Sequence, residues 1–368
     1  MSTHIFLFST ALLSLLNVFL TPIRAEAAYH FAEYVAHSPL RVYATTGSTP
    51  RGFTPKQIKK IYGLPADGGS GTIVIIGAYD AVSIEKDLHD FNSAFALPAC
   101  TRANGCLTVH KVGTSVRTAN NGWALETALD VEWAHAIAPH AKLVLVEAAT
   151  PSGANLLKAV DYAASLHAAT AISMSWGGAE FPEETSLDSH FKSVSGAPFF
   201  AASGDQGAGA SWPASSPEVI SVGGTTLRTS KTGSLTSETT WSGSGGGVSA
   251  YEKAPSYQTA YRITQSNGMR AIPDVAYDAN PATGFPIVHD GVWRTVGGTS
   301  AGAPQWAAIA SLGTVSISRL YIDAKNADRE KFLYDISVGE NGTCGYRCTA
   351  HTGYDFVTGL GTPRTSSF

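Results

Sequence analysis

Ser300 lies in VGGTSAGAPQW (Val296–Trp306), with glycines at 297, 298 and 302. Glycine lets the backbone crowd a ligand, so the segment suits a serine nucleophile. A serine hydroxyl is a weak nucleophile until a positioned base takes its proton. Histidine is the usual base, yet none of the eleven histidines stands in a surrounding that suits the role. Carboxylates remain. Glu126 and Asp130 are four residues apart in GWALETALDVEWAHAIAP, among Ala124, Leu125, Ala128, Leu129, Val131 and Trp133. On a helix this spacing puts both acids on one face, one turn apart. Two carboxylates on an apolar helix repel, and burial is tolerable only if they share a proton, which spreads their pKa values. That arrangement is an acid–base device; the competing reading is a solvated helix edge. Glu132 falls on a different face. A third acid, Asp205, sits in FFAASGDQGAGA, an apolar strand end followed by a glycine-rich loop. Kept neutral, it can donate a hydrogen bond to an oxyanion; the alternative is a turn-capping aspartate.

These residues need a scaffold, and the pattern around them supplies one. TIVIIGA (Thr72–Ala78) is a continuous β-branched run, as expected of a strand covered on both faces. Further strands are expected at Leu107–Val112, Lys142–Ala148, Thr170–Trp176, Pro198–Ala202 and Val219–Gly223. Helices are expected at Ser83–Leu97, Gly122–Ala138, Ser152–His167 and Glu184–Ser195, with another starting near Ser300 over Ala301–Ala310. Alternating strand and helix imply an α/β fold: a mostly parallel central sheet with helices on both faces, and active sites at the carboxyl ends of its strands. The Gly-, Ser- and Thr-rich stretch from Thr225 to Asn280 reads as loops and an irregular ribbon of the same domain, because it carries Trp241, Tyr251 and Tyr257.

A chain of 368 residues, 44% hydrophobic and with net charge −4, can bury a sizeable core. It has no basic patch, which argues against a nucleic-acid partner. Ile5–Leu20 is a short apolar run followed by Ala25-Glu26-Ala27, the pattern of a secretory signal over residues 1–27, with an uncleaved anchor as the alternative. No other segment is long and apolar enough to cross a bilayer. A secreted or periplasmic location is expected, without stable membrane association once the signal is removed. Cys100 with Cys106 and Cys344 with Cys348 then read as two short-range disulfides; a zinc site is the alternative.

Taken in order, FTPKQIKKIYGLP, ETALDVEWAHAIAP, SMSWGG, SGDQGA, GGGVSAYEKAPSYQ, IPDVAYDANPATG, GGTSAGAP and YDISVGENG…HTGYDFVTGLGTP resemble the sedolisin family of serine-carboxyl peptidases, from about Phe53 to Thr362. The resemblance implies a subtilisin-like fold over 53–368; as a departure from the family, a short segment, 28–52, stands where a large propeptide is usual. It implies Ser300 as nucleophile, Glu126 as general base, Asp130 as the acid orienting it, and Asp205 as the side-chain donor of the oxyanion hole. It also implies one structural Ca2+ bound by the carboxylates of Asp335 and Asp355 and the carbonyls of Ile336, His351 and Gly353. Ser175, Trp176 and Gly177 match the family's substrate cleft; Trp176 also fits a core position, and Asp274 reads as structural. The expected reaction is acid-acting endopeptidase or tripeptidyl-peptidase cleavage of peptides or denatured protein by a monomer. One departure is Gly77, where some members carry a further acid.

Three other readings compete. Histidine catalysis of the subtilisin type needs an aspartate after the first strand and a His-Gly-Thr setting, and both are lacking; His110, His135 and His140 are expected on ordinary strand and helix surfaces. An α/β-hydrolase elbow is suggested by Gly298-Thr299-Ser300-Ala301-Gly302, but GVWRTVG before it is polar and broken. A catalytically inactive peptide-binding homologue is the third.

Overall fold

The computed structural model describes Met1 and residues 31–326 and 329–366. The candidate signal segment, 1–27, lies outside the described residues apart from Met1. Strand β1 (Arg41–Gly47) and helix α1 (Pro55–Ile61) come first. Thr54 and Gln57 cap α1 reciprocally, with Pro55 at its first turn. Then follow β2 (Thr72–Ala78), α2 (Ile84–Phe95), β3 (Leu107–Val112), α3 (Asn121–Ile137), β4 (Lys142–Ala148), α4 (Gly153–Ala164), β5 (Ala169–Met174), β6 (Phe199–Ala202), β7 (Val219–Thr229) and β8 (Leu235–Thr240). After α5 (Ser256–Tyr261) come β9 (Val275–Asp278), β10 (Phe285–His289), β11 (Val292–Gly297), α6 (Gly302–Leu312) and α7 (Ile317–Lys325).

The central sheet has eight strands in the order β8-β7-β6-β5-β2-β4-β3, with β9 also paired to β7. Every pairing is parallel except β8 with β7. All seven residues of β2 are buried. Ile73 and Ile75 enter one core with Leu129, Trp133 and Trp306 from α3 and α6; Val74 and Ile76 enter the other with Leu156 and Val160 of α4. An unbroken apolar run is what two covered faces require. Helix α3 is buried along nearly its whole length because it runs beneath the sheet against α6. Asn120 caps its start by accepting from Trp123 N at 3.0 Å, and Pro139 follows its end.

A separate antiparallel sheet, β1-β11-β10, ends at Gly297, three residues before Ser300. Within the expected 28–52 segment, Arg41–Gly47 is therefore paired into the body of the fold through β1. Two further expectations need correction. The segment after Thr225 is not only loop and ribbon: it holds the end of β7, β8, β9, α5 and a paired ribbon, Gly247–Lys253 with Met269–Ile272. Glu184–Phe191 forms a 3-10 helix, and the expected α-helix to Ser195 is absent. Cys100–Cys106 and Cys344–Cys348 are disulfides, which leaves no thiolate for zinc.

Candidate active site

Ser300 stands in a 3-10 turn, Thr299–Ala301, that feeds directly into α6. Gly298 precedes it with φ +115°, in a region that disfavours other residues. A Cβ at Gly298 would lie 2.4 Å from the Pro39 carbonyl and 2.5 Å from Asp205 Oδ2. The glycine is thus required by close approach on two sides. Ser300 is fully buried, and its Oγ makes no hydrogen bond of full geometry. Its hydroxyl nevertheless lies close enough to Glu126 to favour that residue's charged form.

Glu126 and Asp130 are 2% and 1% exposed, so the solvated-edge alternative does not hold. Burial raises both well above the ordinary carboxylate range, and the charge of Asp130 raises Glu126 further. Glu126 Oε2 accepts from Ser38 Oγ, while its Oε1 has no partner. Asp130 Oδ1 accepts from Ser175 Oγ at 2.6 Å, and the same hydroxyl lies 3.2 Å from the Ser300 carbonyl oxygen. Ser175 thus joins the acid to the turn that holds the nucleophile.

Asp205 follows β6 in the loop at the strand's carboxyl end. Its Oδ1 accepts from Thr299 N at 2.8 Å and lies 3.0 Å from Thr299 Oγ1; its Oδ2 is buried without a hydrogen-bond partner, with Arg41 Nε 3.7 Å away. Burial pushes its pKa up to about 7, against the Thr299 contacts and the Arg41 charge. With Oδ1 committed as an acceptor, the proton of the neutral acid belongs on Oδ2, next to Gly298. No histidine hydrogen-bonds to any of these four side chains among the described residues.

The three expected cleft residues differ in role. Gly177 pairs its backbone with His37 in both directions, at 2.9 and 3.1 Å. Ser175 is 1% exposed and its hydroxyl faces Asp130, so its side chain does not meet substrate. Trp176 is fully buried, donating from Nε1 to Ile76 O at 3.1 Å; it is a core residue. One of the three histidine expectations is corrected: His135 is fully buried, whereas His110 is half-buried on β3, stacked on Tyr162 at 3.7 Å between ring centroids, and His140 is exposed beside Asp67.

Sequence reasoning missed the chain segment that fills the cleft. Ala36 N donates to Pro151 O, His37 pairs with Gly177, Ser38 binds Glu126, and the Pro39 carbonyl lies over Gly298. Arg41 then donates to Asp205 O at 3.0 Å, with its Nε 3.7 Å from Oδ2. The groove beside this segment has a volume of about 500 Å³ and includes Gly178, Ser203, Gly204 and Gln206 in its lining. Nothing in HSPLR announces such a role; only tertiary placement does.

The five expected calcium positions fall in one C-terminal loop region. Arg329 occupies part of it: Nη1 and Nη2 donate to Asp335 Oδ2 and Oδ1 at 3.1 and 3.0 Å, and Nη2 donates to Leu360 O at 2.7 Å and Gly353 O at 3.3 Å. Asp355 accepts from the amides of Val357, Thr358 and His351. Asp274 forms a fully buried ion pair with Arg270 and accepts from Tyr321 and Ser221, a structural role.

Residues 110–316 match the model of the subtilase family. The chain is 27% identical to sedolisin from Pseudomonas sp. (strain 101), covering 85% of this chain and 60% of that protein. It is 30% identical to kumamolisin from Bacillus sp. (strain MN-32), covering 86% and 63%. The chain therefore spans about three fifths of the length of these relatives. Among solved structures, Pseudomonas sedolisin, a serine-carboxyl proteinase complexed with two molecules of pseudo-iodotyrostatin, superposes with a TM-score of 0.73 at 27% identity, covering 86% of this chain and 96% of that one.

Proposed function

Because the chain belongs to the subtilase family and, within it, is of the sedolisin type, we propose that it is a serine-carboxyl peptidase that cleaves peptide bonds through an acyl-enzyme on Ser300. The observation that carries this reading is the convergence of Glu126, Asp130 and Asp205 on a buried serine turn to which, among the described residues, no histidine is bonded.

In this reading the Glu126–Asp130 pair has given up one of its two protons, and Glu126, as the ionised member, takes the Ser300 proton as Oγ bonds to the substrate carbonyl carbon. The resulting oxyanion accepts from the Ser300 N–H and from the proton on Asp205 Oδ2. The intermediate collapses with loss of the amine, which receives the proton from Glu126. Water then repeats the sequence on the acyl group. Asp130 shares the proton of the pair and is held by Ser175. A neutral Asp205 is available only below about pH 7, so the enzyme acts in acid. A histidine base would be protonated there.

The segment through His37 and Ser38 supports the mode of substrate entry: an extended peptide adds a strand to the Gly177 edge and leads the scissile bond to Ser300. That segment leaves the cleft before another chain can enter. We place the enzyme in an extracytoplasmic compartment. Two disulfides suit oxidising conditions, and no helix of the described residues is long and apolar enough to cross a membrane. Calcium is the part of the expectation that the residues do not fit, because Arg329 already engages Asp335 and Gly353; no step is routed through a metal ion.

The test is digestion of denatured protein at about pH 4 and about pH 8, with products identified by mass. Cleavage confined to acid and abolished by Ser300→Ala and by Glu126→Ala is expected. A neutral or alkaline optimum, or activity surviving Glu126→Ala, overturns the reading.

A further inference from the structure

We infer that the C-terminal loop is clamped by a built-in cation, the guanidinium of Arg329, in place of a bound divalent metal ion. The terminal nitrogens of Arg329 are seated on loop acceptors, while its Nε is buried without a hydrogen-bond partner. Both terminal nitrogens of Arg329 meet the two oxygens of Asp335, at 3.1 and 3.0 Å, in the fork that matches a carboxylate. The nitrogen facing Oδ1 also donates to the carbonyls of Leu360 and Gly353. Gly353 N donates to Asp335 Oδ2 at 2.8 Å, so the Arg329–Asp335 pair together ties the turn at 329 to the loop at 353 and the return at 360. The side chains of Arg329 and Asp335 are only 14% and 22% exposed.

The other acid of the loop is satisfied without a metal. Asp355 Oδ1 accepts from Val357 N at 2.8 Å and Thr358 N at 2.7 Å, and Oδ2 from His351 N at 3.2 Å. A calcium ion needs six to eight oxygens at about 2.3–2.6 Å. Binding it to Asp335 and the Gly353 carbonyl would press it against a like charge already bonded to the same atoms. Arginine stays protonated at every working pH, and a side-chain cation is not removed by dilution or chelation. The loop borders the functional body directly: Leu360 N donates to Asp274 O at 2.7 Å and Asn341 Nδ2 to Ser244 O at 2.8 Å.

The inference does not depend on the peptidase reading, because its readouts are metal content and unfolding temperature of the full chain. Elemental analysis of the dialysed wild-type protein is expected to find no stoichiometric calcium, and its Tm is expected to be equal in EGTA and in excess calcium chloride. Arg329→Ala lowers Tm by roughly 3–6 °C, and calcium chloride then raises it, because Asp335 and the Gly353 carbonyl are freed for the ion. Arg329→Lys keeps a charge without the fork and gives an intermediate Tm that EGTA leaves unchanged. One calcium per wild-type chain with a Tm that falls in EGTA overturns the inference. So does an Arg329→Ala chain with the wild-type Tm.

Discussion

Asp205→Asn exchanges one atom of the proposed oxyanion donor and removes its titration. In the wild-type chain Oδ1 accepts from Thr299 N at 2.8 Å, which leaves Oδ2 to carry the donated proton. Burial holds this carboxyl near 7. The donor is present below that pH and is lost about tenfold per unit above it. In the variant, the amide oxygen keeps the Thr299 contact and the amide nitrogen stands where Oδ2 stood, donating at every pH. One oxyanion donor contributes about 10²–10³ in kcat, or roughly 3–4 kcal/mol. Asp205→Ala should lose that much at every acid pH. Asp205→Asn should remain within about tenfold of wild type in acid, and its alkaline limb should move upward until the proton shared by Glu126 and Asp130 becomes limiting. The assay is kcat/KM on one peptide from about pH 3 to about pH 9 for the three chains. An unchanged alkaline limb in Asp205→Asn, or wild-type activity in Asp205→Ala, refutes the assignment of Asp205 as donor.

Removing the Ser175 hydroxyl takes away the 2.6 Å hydrogen bond to Asp130; Ser175→Ala should lower kcat about tenfold with little change in KM, and an unchanged kcat would argue that Asp130 needs no such support. Ser38→Ala removes the bond to Glu126, so an organophosphorus reagent should label Ser300 in the full-length variant about tenfold faster than in the full-length wild type; equal rates would mean the segment does not shield the serine. Burial raises Asp205, Glu147 and Glu252 to about 7 and Glu184 to about 8. The folded state therefore holds these protons more tightly than the unfolded chain. That stability is complete below the ordinary carboxylate value near 4 and is lost as pH climbs through the folded values. Thermal unfolding should show Tm falling between about pH 4 and about pH 8, and a flat or rising Tm would contradict it. Asp274→Ala leaves the Arg270 charge buried without its partner and should cost about 3–5 kcal/mol in denaturant unfolding; a loss below about 1 kcal/mol would mean that the site relaxes to admit water.

Much of this arrangement is legible in the residues themselves. Thr72–Ala78, Leu107–Val112 and Lys142–Ala148 fall where their apolar and β-branched residues place them. The four-residue spacing of Glu126 and Asp130 sets their common face, and their apolar neighbours lead both into the interior. What the sequence hid depends on contacts between distant segments. HSPLR has no intrinsic signal for a cleft; its position follows from the Gly177 edge and from β1 docking on β11. The strands after Thr225 are rich in Ser, Thr and Gly, so their partners, not their propensity, make them strands. Trp176 stands beside a cleft residue in sequence, yet it lies just past β5 and is drawn into the core, where its indole donates to Ile76 O. Arg329 reads as an ordinary surface charge until Asp335, Gly353 and Leu360 surround it.

The most direct test of carboxylate activation is the pH dependence of single-turnover acylation of Ser300, compared between the wild-type chain with its cleft vacated and Glu126→Gln. Acylation should be fastest in acid for wild type and slowed by about 10²–10⁴ in Glu126→Gln at every pH. Acylation that is fastest at neutral or alkaline pH, or that survives Glu126→Gln at the wild-type rate, would contradict it.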